Sequence, residues 1–253
     1  MKTCSEKRDA GPVSKISRIA ASGRTLALPA LAHSVHVEVQ GLEPGRTYFY
    51  RFRCQDATSR IGRTRTLPPP QADVARLRLG VASCQRYHSG TFDAYDALRA
   101  DDPDLVVFLG DYIYESGANP GEPRGDWAYP AQTLAQYRGL YELARKDPAL
   151  QALHAQCPWM VIWDDHEVQN DYAGGEVRSG ALKSRLATRM ADAYQAWYEH
   201  MPVSPRVLAD ADPAQAHGRE LRIHHEIRWG RLARMFALDG RQYRSPPVRC
   251  GIG

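Results

Sequence analysis

Asp104-Leu105-Val106-Val107-Phe108-Leu109-Gly110-Asp111-Tyr112-Ile113-Tyr114-Glu115 is the stretch on which the fold turns. Its apolar run shows no polar alternation, which suits a strand covered on both faces. The run breaks at a glycine, which lets the backbone turn sharply, so the Asp111 carboxylate is expected to point into the mouth of a sheet. The same design recurs on either side. Leu77-Arg78-Leu79-Gly80-Val81-Ala82, whose one charged residue Arg78 marks the edge or the entry end, leads into Ser83-Cys84-Gln85, and Trp159-Met160-Val161-Ile162-Trp163 leads into Asp164-Asp165-His166-Glu167. Ala233 to Leu238 is a fourth apolar run, read in the same way.

Helical spacing fills the gaps between these runs. Phe92, Tyr95 and Leu98 share one helix face. Thr133 with Gln136 makes a capping box ahead of Leu134, Tyr137 and Tyr141. Asp147-Pro148 opens another helix with proline at its first position. Leu182, Leu186, Met190, Tyr194, Trp197 and Met201 predict a helix over about 181–200. Strands alternating with helices define an α/β domain over 75–253.

Upstream the texture is β. The first 32 residues carry no clear period. Val35, Val37 and Val39 alternate with polar residues and predict a half-buried strand, and Thr47 to Phe52 predicts a second. Between them, Gly41-Leu42-Glu43-Pro44-Gly45 is a turn cluster. A tyrosine just after such a turn resembles the corner of an immunoglobulin-like or fibronectin-like sandwich, where the ring hydroxyl bonds back to nearby backbone. Residues 1–67 are too short for the roughly 100-residue sandwich, so a partial one with an open sheet edge is expected. Residues 68–74, opening on Pro68-Pro69-Pro70, form a stiff linker.

Composition narrows the classes. The 253 residues are 43% hydrophobic and 25% charged, which excludes disorder, and no apolar stretch is long enough to span a membrane as a helix. The net charge of +4 is too diffuse to define a nucleic-acid surface and suits an anionic small substrate equally well. Only Lys2, Lys7, Lys15, Lys146 and Lys183 are lysines, so the positive charge is almost all arginine. Five cysteines, widely spaced and without a CxxC pair, make neither a zinc ribbon nor a disulfide scaffold. The N-terminal residues have no apolar core of a signal peptide.

Polar residues gather where the apolar runs end, which is where open α/β sheets place their sites. Singly, each has a bland role: Cys84 in a core, Asp111 as a cap, Tyr114 in packing, Asp165 in a solvated loop. Jointly they set carboxylates, a thiol, a phenol and His166 at neighbouring strand ends. That much negative charge needs cations, and hard oxygen donors favour calcium, magnesium, manganese or ferric iron. No GxGxxG, Walker A, GxSxG or HExxH string is present.

These strings carry a family resemblance. Val81-Ala82-Ser83-Cys84-Gln85, Leu109 to Glu115, Trp163 to Glu167 with Asn170-Asp171, Tyr194 to Pro202 and Leu238 to Arg244 resemble the PhoD-type alkaline phosphatases. The resemblance implies a metallophosphoesterase-like fold, an α/β sandwich of two facing sheets flanked by helices. It implies hydrolysis of phosphate mono- or diesters at an iron(III) and calcium centre. Cys84, Asp111 and Tyr114 match the iron-side ligands, with Asp111 bridging. Asp165 and Asn170 fall in the segment that supplies the next ligands, and His166 matches the histidine beside the leaving group. A phosphate-ester small molecule is the expected partner, with no specific nucleic-acid site, and the expected location is periplasmic or secreted. The family extends well past the Arg241 string and carries further ligands there, so weak or absent turnover is expected of this chain. The rival reading, from another class, is a non-catalytic binding module that keeps half of the metal site; metal analysis separates the two.

Overall fold

The computed structural model describes residues 2–6, 18–127, 129–174, 183–208 and 221–245. The N-terminal unit is an antiparallel sheet. Its strands are β1 (Lys2–Glu6), β2 (Ile19–Gly23), β3 (Thr47–Cys54), β4 (Ala57–Thr58) and β5 (Gly62–Arg65). The order runs β2-β1-β3-β4, with β5 also paired to β3. The strand expected over Val35 to Val39 is absent: the segment carries no ladder, while β1 and β2 arise in the stretch that showed no period. The alternation there serves packing across the chain instead. His36 stacks on Tyr198 at 4.1 Å between ring centroids, and its Nδ1 lies 2.8 Å from the Val203 carbonyl. The tyrosine corner forms, with the buried Tyr48 hydroxyl accepting the Glu43 N–H at 2.9 Å.

Beyond the prolines the chain builds a parallel sheet. β6 (Leu79–Ala82), β7 (Leu105–Phe108) and β8 (Trp159–Val161) lie side by side in that order. Between β6 and β7 runs α1 (Ala94–Ala100). Between β7 and β8 run α2 (Leu134–Arg145) and α3 (Pro148–Gln156). α2 starts at the expected capping box, and α3 starts at Asp147, whose carboxylate accepts from the Ala149 and Leu150 N–H groups. After β8 comes α4 (Lys183–His200); Leu182, read as its first apolar residue, lies outside the described residues. Two further strands, β9 (His225–Trp229) and β10 (Ala233–Ala237), pair antiparallel as a hairpin.

The main core lies between the parallel sheet and the helices. Trp163, Trp197, Tyr137, Tyr141, Leu150 and Leu153 are all fully buried in it. A smaller cluster joins the sheet's other face to the hairpin through Leu105, Met160 and Ala237, with Ile227 and Met235 packed against them. Two facing sheets with flanking helices are thus the architecture. The expectation that the apolar runs are covered on both faces fails for β10. β6 lies at the sheet edge, one of the two positions read from Arg78; its Leu79 and Val81 are 43% and 61% exposed, while its Gly80 face is covered by Leu98. β10 alternates because it is a hairpin strand, with Phe236 turned outward. Arginines tie the N-terminal sheet to the α/β part. Arg63 reaches the Gln156 carbonyl at 2.6 Å and the Asp102 carboxylate, and Arg65 pairs with Asp104 at 2.8 Å.

Candidate metal centre

Parallel strands in the order β6-β7-β8 put their C-terminal ends side by side, and the loops leaving them form the site. The backbone there is held in an unusual conformation. Gly110 has φ +105°, and a Cβ on it would lie 2.3 Å from the Asp164 backbone nitrogen. Cys84 and Asp111 both sit at φ +57°, a left-handed region that non-glycine residues seldom occupy. The turns are tied together: the Cys84 N–H donates to the Gly110 carbonyl at 3.1 Å, and the Gln85 N–H donates to the Asp111 carbonyl at 3.0 Å. Strain held this way concentrates where a side chain must be aimed.

The aim converges on one atom. The Tyr114 hydroxyl donates to Asp111 Oδ2 at 3.1 Å, and Cys84 Sγ lies 3.4 Å from the same oxygen. The His166 N–H donates to the other carboxylate oxygen, Oδ1, at 3.3 Å. Ligand atoms of Asp111, Asp165 and His166 lie within 4.8 Å of one another. Asn170 is at the rim: its side chain is exposed and donates to Asp171, while its backbone N–H donates to Glu115 Oε1 at 2.8 Å. Of the six site residues read from the sequence, five gather around the Asp111 carboxylate and Asn170 stands beside them.

Three residues given no role by the sequence reading hold this cluster. Glu167, wholly buried, accepts the N–H groups of Asp111, Tyr112 and Asp164 at 3.0, 2.6 and 2.8 Å. Its carboxylate thereby staples the β7 turn to the β8 turn. Glu115 accepts from Asn170 and faces His166 Nδ1 at 2.7 Å. Arg241, from the loop after β10, pairs with Asp164 and with Asp165 at 3.2 Å. A glutamate one residue past a histidine gives no sign that it faces inward. Only the turn geometry does that.

Burial pushes Glu167 up to about 8 against the pull of its backbone donors. Burial also raises Asp111, with Asp165 adding to the rise and His166 opposing it. Tyr114 is raised by burial and by the adjacent Asp111 carboxylate. His166 is raised: burial pulls it down, but Glu115, Asp111 and Asp165 outweigh that. Among the described residues no lysine or arginine pairs with Asp111. Thiol, phenol and carboxylates around one unneutralised oxygen make a donor set that fits a trivalent or divalent cation.

A two-sheet α/β core with such a cluster at its strand ends defines the metallophosphoesterase class of fold. Within that class the chain belongs to the PhoD-like phosphatase family: residues 79–250 match the PhoD-like phosphatase profile and residues 10–68 match the N-terminal domain of PhoD-like phosphatases. It is 41% identical over 232 residues to alkaline phosphatase D of Bacillus subtilis (strain 168), covering 90% of this chain and 39% of that protein. Purple acid phosphatase 23 of Arabidopsis thaliana is 28% identical over 148 residues, covering 55% of this chain and 31% of that protein. A solved structure of PhoD superposes with a TM-score of 0.89 at 38% identity, over 98% of this chain and 46% of that one. The chain spans less than half the length of each of these relatives.

Proposed function

We propose that this site hydrolyses phosphate mono- or diesters of small molecules with iron(III) and calcium bound. The observation that carries the reading is the convergence of Cys84 Sγ and the Tyr114 hydroxyl on Asp111 Oδ2. Cys84, Tyr114 and Asp111 would hold the ferric ion, and Asp111, Asp165 and Asn170 supply oxygens for the second. Bound there, the metals supply positive charge to the phosphoryl oxygens and acidify a water.

The chain's own groups do the rest. His166 Nδ1, 2.7 Å from Glu115 Oε2, holds its proton toward that carboxylate and leaves Nε2 as the nitrogen that can give a proton to the departing oxygen. The raised pKa of His166 keeps it protonated further up the pH scale, as a general acid needs. Arg241 fixes Asp164 and Asp165, so those carboxylates need no reorganisation when charge develops. A periplasmic or secreted location belongs to the same reading; among the described residues no helix is long and apolar enough to cross a membrane.

The test is turnover of p-nitrophenyl phosphate and its bis-ester by the chain loaded with iron(III) and calcium, beside Asp111→Asn. Turnover lost in the variant supports the reading. Because turnover by this chain is expected to be weak, the comparison decides: turnover and iron(III) uptake indistinguishable between the two proteins overturn it in favour of a binding module.

A further inference from the structure

A second polar region lies between the N-terminal sheet and the α/β part, and the Tyr112 ring separates it from the strand-end turn. A cavity of about 830 Å³ opens there. β3 and β5 form one side, the extended Val35 to Gln40 segment another, and the ends of α2, α3 and α4 the floor. Val35, Val39, Phe52, Met201 and Pro202 make much of its wall apolar.

The charges on that wall do not balance. Arg63 is matched by Asp102, Arg65 by Asp104, Glu199 by Arg138 and Glu38 by Arg206. Arg145 is left over. Its guanidinium donates to the His200 carbonyl and lies over the Tyr112 ring, 5.5 Å from its centroid, and it has no carboxylate partner among the described residues. Its Nε is buried without an acceptor, and so is Nε1 of the 8%-exposed Trp159 on the same wall. Cys157 cannot supply the missing charge, because burial pushes its thiol up to about 12. His154 and His200, also on the wall, are lowered by burial with Arg145 adding to the fall. A half-buried cation without an anion is costly to leave unmatched, and an anion seated in the cavity supplies its partner.

We propose that this cavity binds an organic anion with an apolar body, its carboxylate or phosphate headgroup seated on Arg145 and its body along Val39 and Phe52. The headgroup answers the guanidinium, and the body fills a space of the size that small-molecule sites occupy. Nothing in hydrolysis at the strand ends requires such a site.

Isothermal titration at pH 8 of the full 253-residue chain tests it. The probes are octanoate, octyl phosphate, inorganic phosphate and octanol, against wild type, Arg145→Gln and Asp111→Asn. The expected result is that one or both octyl anions bind wild type and Asp111→Asn alike, and bind Arg145→Gln at least about tenfold more weakly. Which octyl anion binds more tightly identifies the headgroup. Octanol and inorganic phosphate should bind weakly, each lacking one half of the recognised chemistry. If Arg145→Gln does not fold, Val39→Trp, which fills the cavity from a segment outside any ladder, should abolish binding. No binding by either octyl anion at millimolar concentration overturns the proposal. So does equal binding to Arg145→Gln, or to Val39→Trp where that variant is used. Loss confined to Asp111→Asn moves the anion to the strand-end cluster and also overturns it. Inorganic phosphate binding as tightly as octyl phosphate removes the apolar body from the claim.

Discussion

The strand-end cluster and the cavity wall around Arg145 both hold charged groups partly withdrawn from water, and they are opposite in sign. At the strand ends Asp111, Asp164, Asp165 and Glu115 outnumber Arg241 and His166, whereas among the described residues the cavity wall leaves a guanidinium without a carboxylate. The histidines register the difference. His166, among carboxylates, is raised in spite of burial, while burial lowers His154 and His200 and Arg145 takes them further down. A buried charge left without a partner costs several kcal/mol, on the order of 3–5 when a partner is removed. The sign of the leftover charge therefore selects the ligand: a cation at one place, an anion at the other.

The largest expected effect is that of Asp111→Asn, which removes the charge that Cys84, Tyr114 and His166 surround. Iron uptake should fall at least ~100-fold, more than the loss usually seen on mutating a residue that only supports a ligand. Tyr114→Phe should abolish any phenolate-to-iron(III) absorption band while iron still binds. Metal analysis and visible spectroscopy read both, and an unchanged band in Tyr114→Phe would break the cationic half of the contrast.

Gly110→Ala comes next. Its Cβ would lie 2.3 Å from the Asp164 nitrogen at φ +105°, so a loss of about 3 kcal/mol or more is expected in urea unfolding. Glu167→Gln keeps the shape but sets an amide where a carboxylate accepts three backbone N–H groups. It should cost about 1–3 kcal/mol and loosen metal binding ~10-fold or more. An unchanged affinity would make Glu167 a matter of folding alone.

The smallest effect is a pH dependence. Burial holds the pKa values of His154 and His200 in the folded chain below the ordinary histidine value of about 6.5, so the unfolded chain binds protons better below that pH. Their contribution is complete above about 6.5 and is lost as pH falls toward the folded values, at up to ~1.4 kcal/mol per pH unit for each group. Arg145→Gln should make that acid loss shallower, because the charge that adds to the depression is gone. His166 has the opposite sign: its share is present below the ordinary histidine value and is lost as pH rises through its raised folded value. Urea midpoints between pH 5 and 8 for wild type, His154→Gln and Arg145→Gln check the slopes.

Much of this was legible beforehand where a local rule suffices. Apolar runs without alternation marked β7 and β8, Thr133 with Gln136 marked the start of α2, and Gly110 marked the turn that aims Asp111. Local rules failed where the partner was remote. Val35 to Val39 alternates like a strand, yet His36 packs on Tyr198 and Val203, more than 160 positions away. Ala233 to Ala237 has the content of a covered strand, yet its antiparallel partner leaves one side in solvent.

The sequence by itself determined which residues could bear the chemistry: short apolar runs, each ending in a thiol, a phenol or carboxylates, in an order found among PhoD-type phosphatases. Periodicity and turn chemistry act over a few residues, so they are readable from the chain alone. Only the tertiary structure decided that Glu167 staples two turns, that Arg241 holds Asp165, and that Arg145 stands without a counter-ion among the described residues. Those outcomes depend on which charges are buried side by side, and Coulomb energy depends on distance in space and on loss of water, neither of which is a property of sequence spacing.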